Sequence, residues 1–151
     1  MDCPKQIILV SWNAEFKIRF SQQVDVTNKR IALSSIQYPS VQPANQLRKK
    51  RLVKDMVAVG EIQSVLILCD AIRENTIIND INTSSACFPL RCMDLLQFET
   101  YREHNLIEVK NPVFHDLNAT TYLGLTIKIC DLNGDNVQFN GGVVVLKLLI
   151  E

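Results

Sequence analysis

Apolar and polar residues alternate with a period of two along this chain, in short runs separated by turn-forming residues. In Phe16-Lys17-Ile18-Arg19-Phe20 the apolar side chains alternate with cations, so an extended backbone puts three apolar groups on one face and two basic groups on the other. This predicts a half-buried strand. Ile31–Tyr38 is apolar and β-rich, its alternation breaks at Ser34-Ser35 as a bulge would require, and Pro39 removes a ladder donor and ends it. Gln63–Asp70 is almost wholly apolar, which predicts an interior strand covered on both faces.

Further strands are expected at Ser85–Arg91, Leu95–Tyr101 and Leu106–Lys110, the last closed by Pro112 and an Asn/Asp-rich loop. Thr121–Cys130 alternates again and is followed by Asn133-Gly134, a dipeptide suited to the positive φ angles of a tight hairpin turn. Gly141-Gly142 then reads as a bulge leading into Val143–Ile150, the return strand of a C-terminal hairpin over 121–150. Its apolar residues fall on both faces, so it is expected to be buried and to anchor the fold. Heptads, amphipathic helices and internal repeats are lacking. About eight short strands at intervals of roughly ten residues predict an all-β, single jelly-roll sandwich of antiparallel strands, with 1–151 as one domain.

The 151 residues are enough to bury a core without staples, and the 47% apolar and 21% charged content excludes a disordered chain. No apolar stretch approaches the roughly 18 residues of a membrane-spanning helix, and the N-terminus has no signal-like apolar run. Membrane contact is not expected, and the chain is read as retained inside the cell. Five cysteines form an odd set lying in apolar segments such as Val65–Cys69, which suits free, buried thiols better than a disulfide framework. Net charge is zero, yet residues 1–60 carry ten Lys/Arg against four Asp/Glu, and 61–151 six against twelve. Halves of opposite sign favour head-to-tail self-association if they lie on different faces.

Candidate chemistry is sparse. The two histidines, His104 and His115, lie in polar stretches, and neither a nucleophile elbow nor a phosphate-cradling loop is present, so no catalytic residue is assigned and the chain is read as a non-enzyme. Cys87 and Cys92 with His104 and His115 could in principle hold zinc, but neither histidine sits in a paired motif, and no metal or other cofactor is expected. Asp131-x-Asn133-x-Asp135 begins like a calcium loop, but Asn136 stands where glycine is required and Gly142 where glutamate is. The basic run Arg48-Lys49-Lys50-Arg51 admits three readings: a nuclear-import signal, a non-specific contact with nucleic acid, or a solvated loop tip.

Three stretches in order carry a resemblance. The first runs from Phe16–Phe20 through Val24-Asp25-Val26 to Arg30–Pro39, ending in a Tyr-Pro. The second joins Leu66–Ile72 to Ile77-Ile78-Asn79-Asp80, with Pro89-Leu90-Arg91-Cys92 following. The third is Leu125–Leu148, with its Asp-x-x-Gly turn, Val137-Gln138-Phe139 step and Gly-led terminal strand. In order and spacing these resemble the penton (minor capsid) proteins of Polinton/Maverick-type viruses and their virophage and adintovirus relatives. Met1–Trp12 falls outside the resemblance.

The resemblance implies a structural protein of the virion, assembled inside the host cell. It would form homopentamers at the fivefold vertices of an icosahedral capsid, contact major-capsid capsomers, and could touch viral DNA non-specifically. The alternative is a jelly-roll module that binds a carbohydrate or protein receptor.

Overall fold

A computed structural model of the chain describes residues 5–42, 62–73, 75–78, 87–100 and 102–151, with backbone alone at 75–78 and 87–90. The basic run Arg48–Arg51 lies outside these residues. Eleven strands are described: β1 (Lys5–Ser11), β2 (Glu15–Asp25), β3 (Arg30–Tyr38), β4 (Ile62–Cys69), β5 (Asn75–Ile78), β6 (Cys87–Leu90), β7 (Cys92–Glu99), β8 (Asn105–Glu108), β9 (His115–Asp116), β10 (Thr121–Asp131) and β11 (Val144–Ile150). Among the described residues none is helical.

The chain is all-β, a sandwich of two antiparallel sheets. One sheet has the order β1-β11-β3-β8, with β9 also paired to β3; the other has the order β2-β10-β4-β7. The short β5–β6 ribbon stands apart. Chain neighbours β1 and β2, β2 and β3, and β10 and β11 fall in opposite sheets, so the chain repeatedly crosses between the layers.

Alternation decides what each strand buries. In β11, Val144, Leu146 and Leu148 are buried while Val145, Lys147 and Leu149 are partly exposed on the outer face. Phe16 of β2, Ile31, Leu33 and Ile36 of β3, Val65 and Ile67 of β4, Phe98 of β7 and Ile127 and Ile129 of β10 complete one core between the sheets. Tyr38 stacks on Phe98 across the layers, ring centroids 3.9 Å apart, and its hydroxyl accepts the Glu99 N–H at 3.0 Å. The phenol thus has the partner that its burial demands.

The bulge expected at Ser34-Ser35 is present: Ser35 opposes Lys147 and Leu33 opposes Leu148, so Ser34 is the extra residue. Its carbonyl accepts the Val109 N–H instead. β4 lies between β10 and β7, apolar toward both faces as anticipated: Val65 and Ile67 face the core, and Leu66 packs with Cys92 and Cys130 on the outer side.

The C-terminal hairpin requires correction. β10 pairs with β2 and β4, whereas β11 pairs with β1 and β3, so the two strands belong to different sheets. The chain does turn at Asn133-Gly134, where Gly134 has φ +89° and its N–H reaches the Asp131 carbonyl at 3.0 Å. The reversal lasts only to Val137, whose N–H donates to Ile129. The chain then leaves for the other layer through Gly141 and Gly142, both at positive φ, so this glycine pair is a crossing loop rather than a bulge. Both sheets bury their inner faces, and two successive amphipathic strands satisfy that equally well side by side or across the core. Local periodicity cannot separate the two arrangements.

Candidate functional site

At one end of the sandwich the β2–β3 turn, Arg73 and residues 116–120 enclose a cleft of about 410 Å3. Its turn is built by local side-chain chemistry. Asp25 Oδ1 accepts the Thr27 N–H at 2.9 Å and the Thr27 hydroxyl at 2.6 Å, and these bonds hold the Asp25 carboxyl below its usual range. Asn28 then takes φ +59°, a left-handed conformation that asparagine tolerates.

The opposite wall is pinned as firmly. Asn118 Nδ2 donates to the Asp70 and Ile72 carbonyls at 2.8 and 3.2 Å. The Tyr122 hydroxyl donates to Ala71 O at 2.7 Å and accepts the Ala119 N–H at 2.9 Å. Backbone bonds from Arg73 N to Asp116 O and from Val26 N to Thr120 O close the floor. A cleft walled by two such braced loops keeps its shape before anything enters it.

Lys29, Arg30 and Arg73 bring positive charge to this cleft and Asp116 brings one carboxylate. Arg30 is ion-paired with Glu151 and lies over the Phe114 ring, 5.4 Å from its centroid. Lys29 and Arg73 make no ion pair with the described residues. The chemistry on offer is hydrogen bonding and charge attraction toward a small polar or anionic group. Among the described residues no cysteine, histidine or serine lines the cleft.

A second candidate surface is formed by the two edges of the sandwich. At one edge β1 and β2 lie together, joined by the turn at Trp12–Ala14. Leu9 of β1 faces the core, whereas Ile8 and Val10 on its outer face are 60% and 61% exposed, and Trp12 just beyond is 74% exposed. The opposite edge holds β7 and β8, with Leu95 and Leu106 exposed. An unpaired strand edge offers open backbone donors and acceptors, and an apolar one invites a partner.

Of the residues singled out for metal chemistry, those described do not come together. Among the described residues no group of three or more His, Cys, Asp or Glu is placed to hold a metal ion. The ring of His115 engages Met93 O through Nε2 at 2.8 Å, His104 is exposed in the β7–β8 connection, and the Cys87 side chain lies outside the described residues. Asp131 acts as turn chemistry: its Oδ1 accepts the N–H groups of Asn133 and Asp135 at 2.8 and 3.0 Å.

Cys69 and Cys130 are free thiols, and Cys92 is buried like them. Cys92 and Cys130 sit on the two strands that flank β4, roughly 10 Å apart by strand spacing, which is beyond disulfide reach. Burial pushes the Cys69 and Cys92 thiols up to about 11. Such thiols are poor nucleophiles at neutral pH.

The sequence reading missed the cleft cations and the β1 edge. Asp25-Val26-Thr27-Asn28 marks a turn, yet nothing local brings it beside Arg73 and Asn118. Ile7-Ile8-Leu9-Val10 is uniformly apolar, so its exposed face is invisible without the sheet order. A scan of family models, a search of curated proteins and a search of solved structures each returned no match for this chain.

Proposed function

We propose that this chain is a viral structural protein, a penton or minor capsid protein whose copies close fivefold vertices of an icosahedral shell and touch major-capsid capsomers. The observation that carries the reading is the interleaved strand order, β1-β11-β3-β8 facing β2-β10-β4-β7. A five-stranded and a four-stranded sheet threaded in this way support a jelly roll, in which the sheets form a rigid brick and the connections are free to vary. The three stretches resembling the penton family include or run through β2, β3, β4, β10 and β11, all strands of these two sheets. The exposed apolar positions on β1, β7 and β8 add surface suited to contacts between subunits.

On this reading the protein resides in the virion after assembly inside the host cell. The run Arg48–Arg51 is proposed to serve nuclear import or non-specific contact with packaged DNA. Sedimentation velocity over a wide concentration range tests the proposal: a discrete pentamer, alone or with the capsomer partner, is expected. A strict monomer at high concentration that binds no capsomer would overturn it.

A second reading, a ligand- or receptor-binding module, is favoured by the braced polar cleft at Val26–Arg30 and Asp116–Thr120. Binding of an anionic saccharide that is lost in Arg73→Ala, with the protein monomeric throughout, would favour that reading instead.

A further inference from the structure

We propose that copies of this chain associate head to tail, the β1–β2 edge of one docking against the β7–β8 edge of the next. The inference rests on the self-assembly reading above and assigns the surfaces that would carry it. Three independent features of the two edges agree.

The first is strand direction. All pairings in both sheets are antiparallel, and four strands lie across each, so the two edge strands of a sheet run in opposite directions. Rotating a copy about an axis roughly parallel to the strands therefore brings its β8 antiparallel to β1, and its β7 antiparallel to β2. Both sheets would continue in the sense they already have.

The second is apolar surface on both sides of the contact. Ile8, Val10 and Trp12 are exposed at one edge, and Leu95 and Leu106 at the other. Val10, Val145, Gln37 and Leu106 stand in one row across the first sheet, so Val10 and Leu106 occupy its two ends on the same outer face. A head-to-tail neighbour brings such ends together.

The third is charge, and it decides which copy surface fits. Strands β1 and β2 carry Lys5, Lys17 and Arg19 against Glu15 and Asp25, with Glu15 already paired to Lys17. The opposite edge, residues 92–108, carries Asp94, Glu99, Glu103 and Glu108 against Arg102, itself tied to Glu99. One edge is thus mildly basic and the other clearly acidic. Like edges would repel, so docking of an edge on its own counterpart is disfavoured, whereas unlike edges attract. The whole chain has 16 cations and 16 anions, so no net repulsion opposes the approach of copies. A contact between two different surfaces of one chain is the kind that closes rings.

The test reverses charge at exposed positions on one edge at a time. One variant carries Lys17→Glu with Arg19→Glu, and the other Glu99→Lys with Glu108→Lys. Thermal melts first establish that both fold like the parent, since exposed ion pairs contribute little to stability. In sedimentation velocity at low salt the parent is expected to associate, and each variant alone to bind itself at least about tenfold more weakly. An equimolar mixture should recover association, because the reversed edge of each variant then meets a complementary edge on the other. If the parent assembles but both variants assemble equally well, or the mixture stays monomeric, this assignment of surfaces is overturned while self-assembly stands. A parent that never associates with itself overturns this inference, and one that also binds no capsomer overturns the underlying reading with it.

Discussion

Gly124 shows how one residue fixes a strand pairing. It lies where the β10–β2 register shifts, and a Cβ built on it would stand 2.2 Å from the Ile18 carbonyl oxygen, a backbone atom that cannot swing aside. Gly124→Ala should therefore cost about 1–3 kcal/mol, read as a lower urea midpoint with unchanged slope; an unaltered midpoint would show that the two strands can separate at no cost. The buried thiols make a second residue-scale prediction. Burial raises Cys69 and Cys92 from 9.0 to about 11, and burial also raises Tyr38. The unfolded chain therefore sheds the thiol protons first, from about pH 9, and the Tyr38 proton from about pH 10, while the folded chain keeps them. From neutral pH to about pH 9 these groups leave stability unchanged; it should then fall to about pH 11 as the unfolded thiols ionise, with no further loss from the thiols above that. Urea midpoints at pH 7.5, 9.5 and 10.5 check this, and a flat series would contradict the burial of the thiols.

Among elements, β11 gives the sharpest contrast. It is an interior strand of its sheet, and its alternation separates fully buried Leu146 from half-exposed Val145. Leu146→Ala should cost about 2–5 kcal/mol through lost burial and the cavity left behind, whereas Val145→Ala should cost less than about 1 kcal/mol. An aspartate at 145 is likewise expected to be milder than one at 146, because the outer face keeps it in contact with water. Equal losses at the two positions would mean that the outer face of this sheet is as buried as the inner one. The sequence, which shows apolar residues on both sides of the strand, does not distinguish them.

For the whole molecule, Trp12 is a built-in reporter. It is the only tryptophan in the chain and stands 74% exposed beside β1. Dilute protein should emit at the long wavelengths of a solvated indole. On concentration, emission should shift to shorter wavelength in step with the rise in sedimentation coefficient, because the proposed contact removes the ring from water. Association without any such shift would place the interface away from β1.

Periodicity of two was enough to establish an all-β chain, to place β3, β4, β7, β8, β10 and β11 within a few residues and the first half of β2, and to locate the bulge at Ser34. These are consequences of each strand's own inner face, which has to be apolar whatever stands next to it. What the periodicity could not carry was partnership. Whether β10 returns beside itself or crosses to the other layer depends on which strands compete for its edges, and β2 and β4 take both. β1 was not anticipated as a strand at all: Ile7–Val10 is apolar at every position and shows no period of two, and only the sheet order reveals that one of its sides has no partner strand among the described residues. The charge imbalance between the two parts of the chain was plain in the sequence. Only the tertiary structure set the mildly basic β1–β2 edge and the acidic β7–β8 edge on opposite sides, because strand order in a sheet is fixed by contacts between residues far apart in the chain.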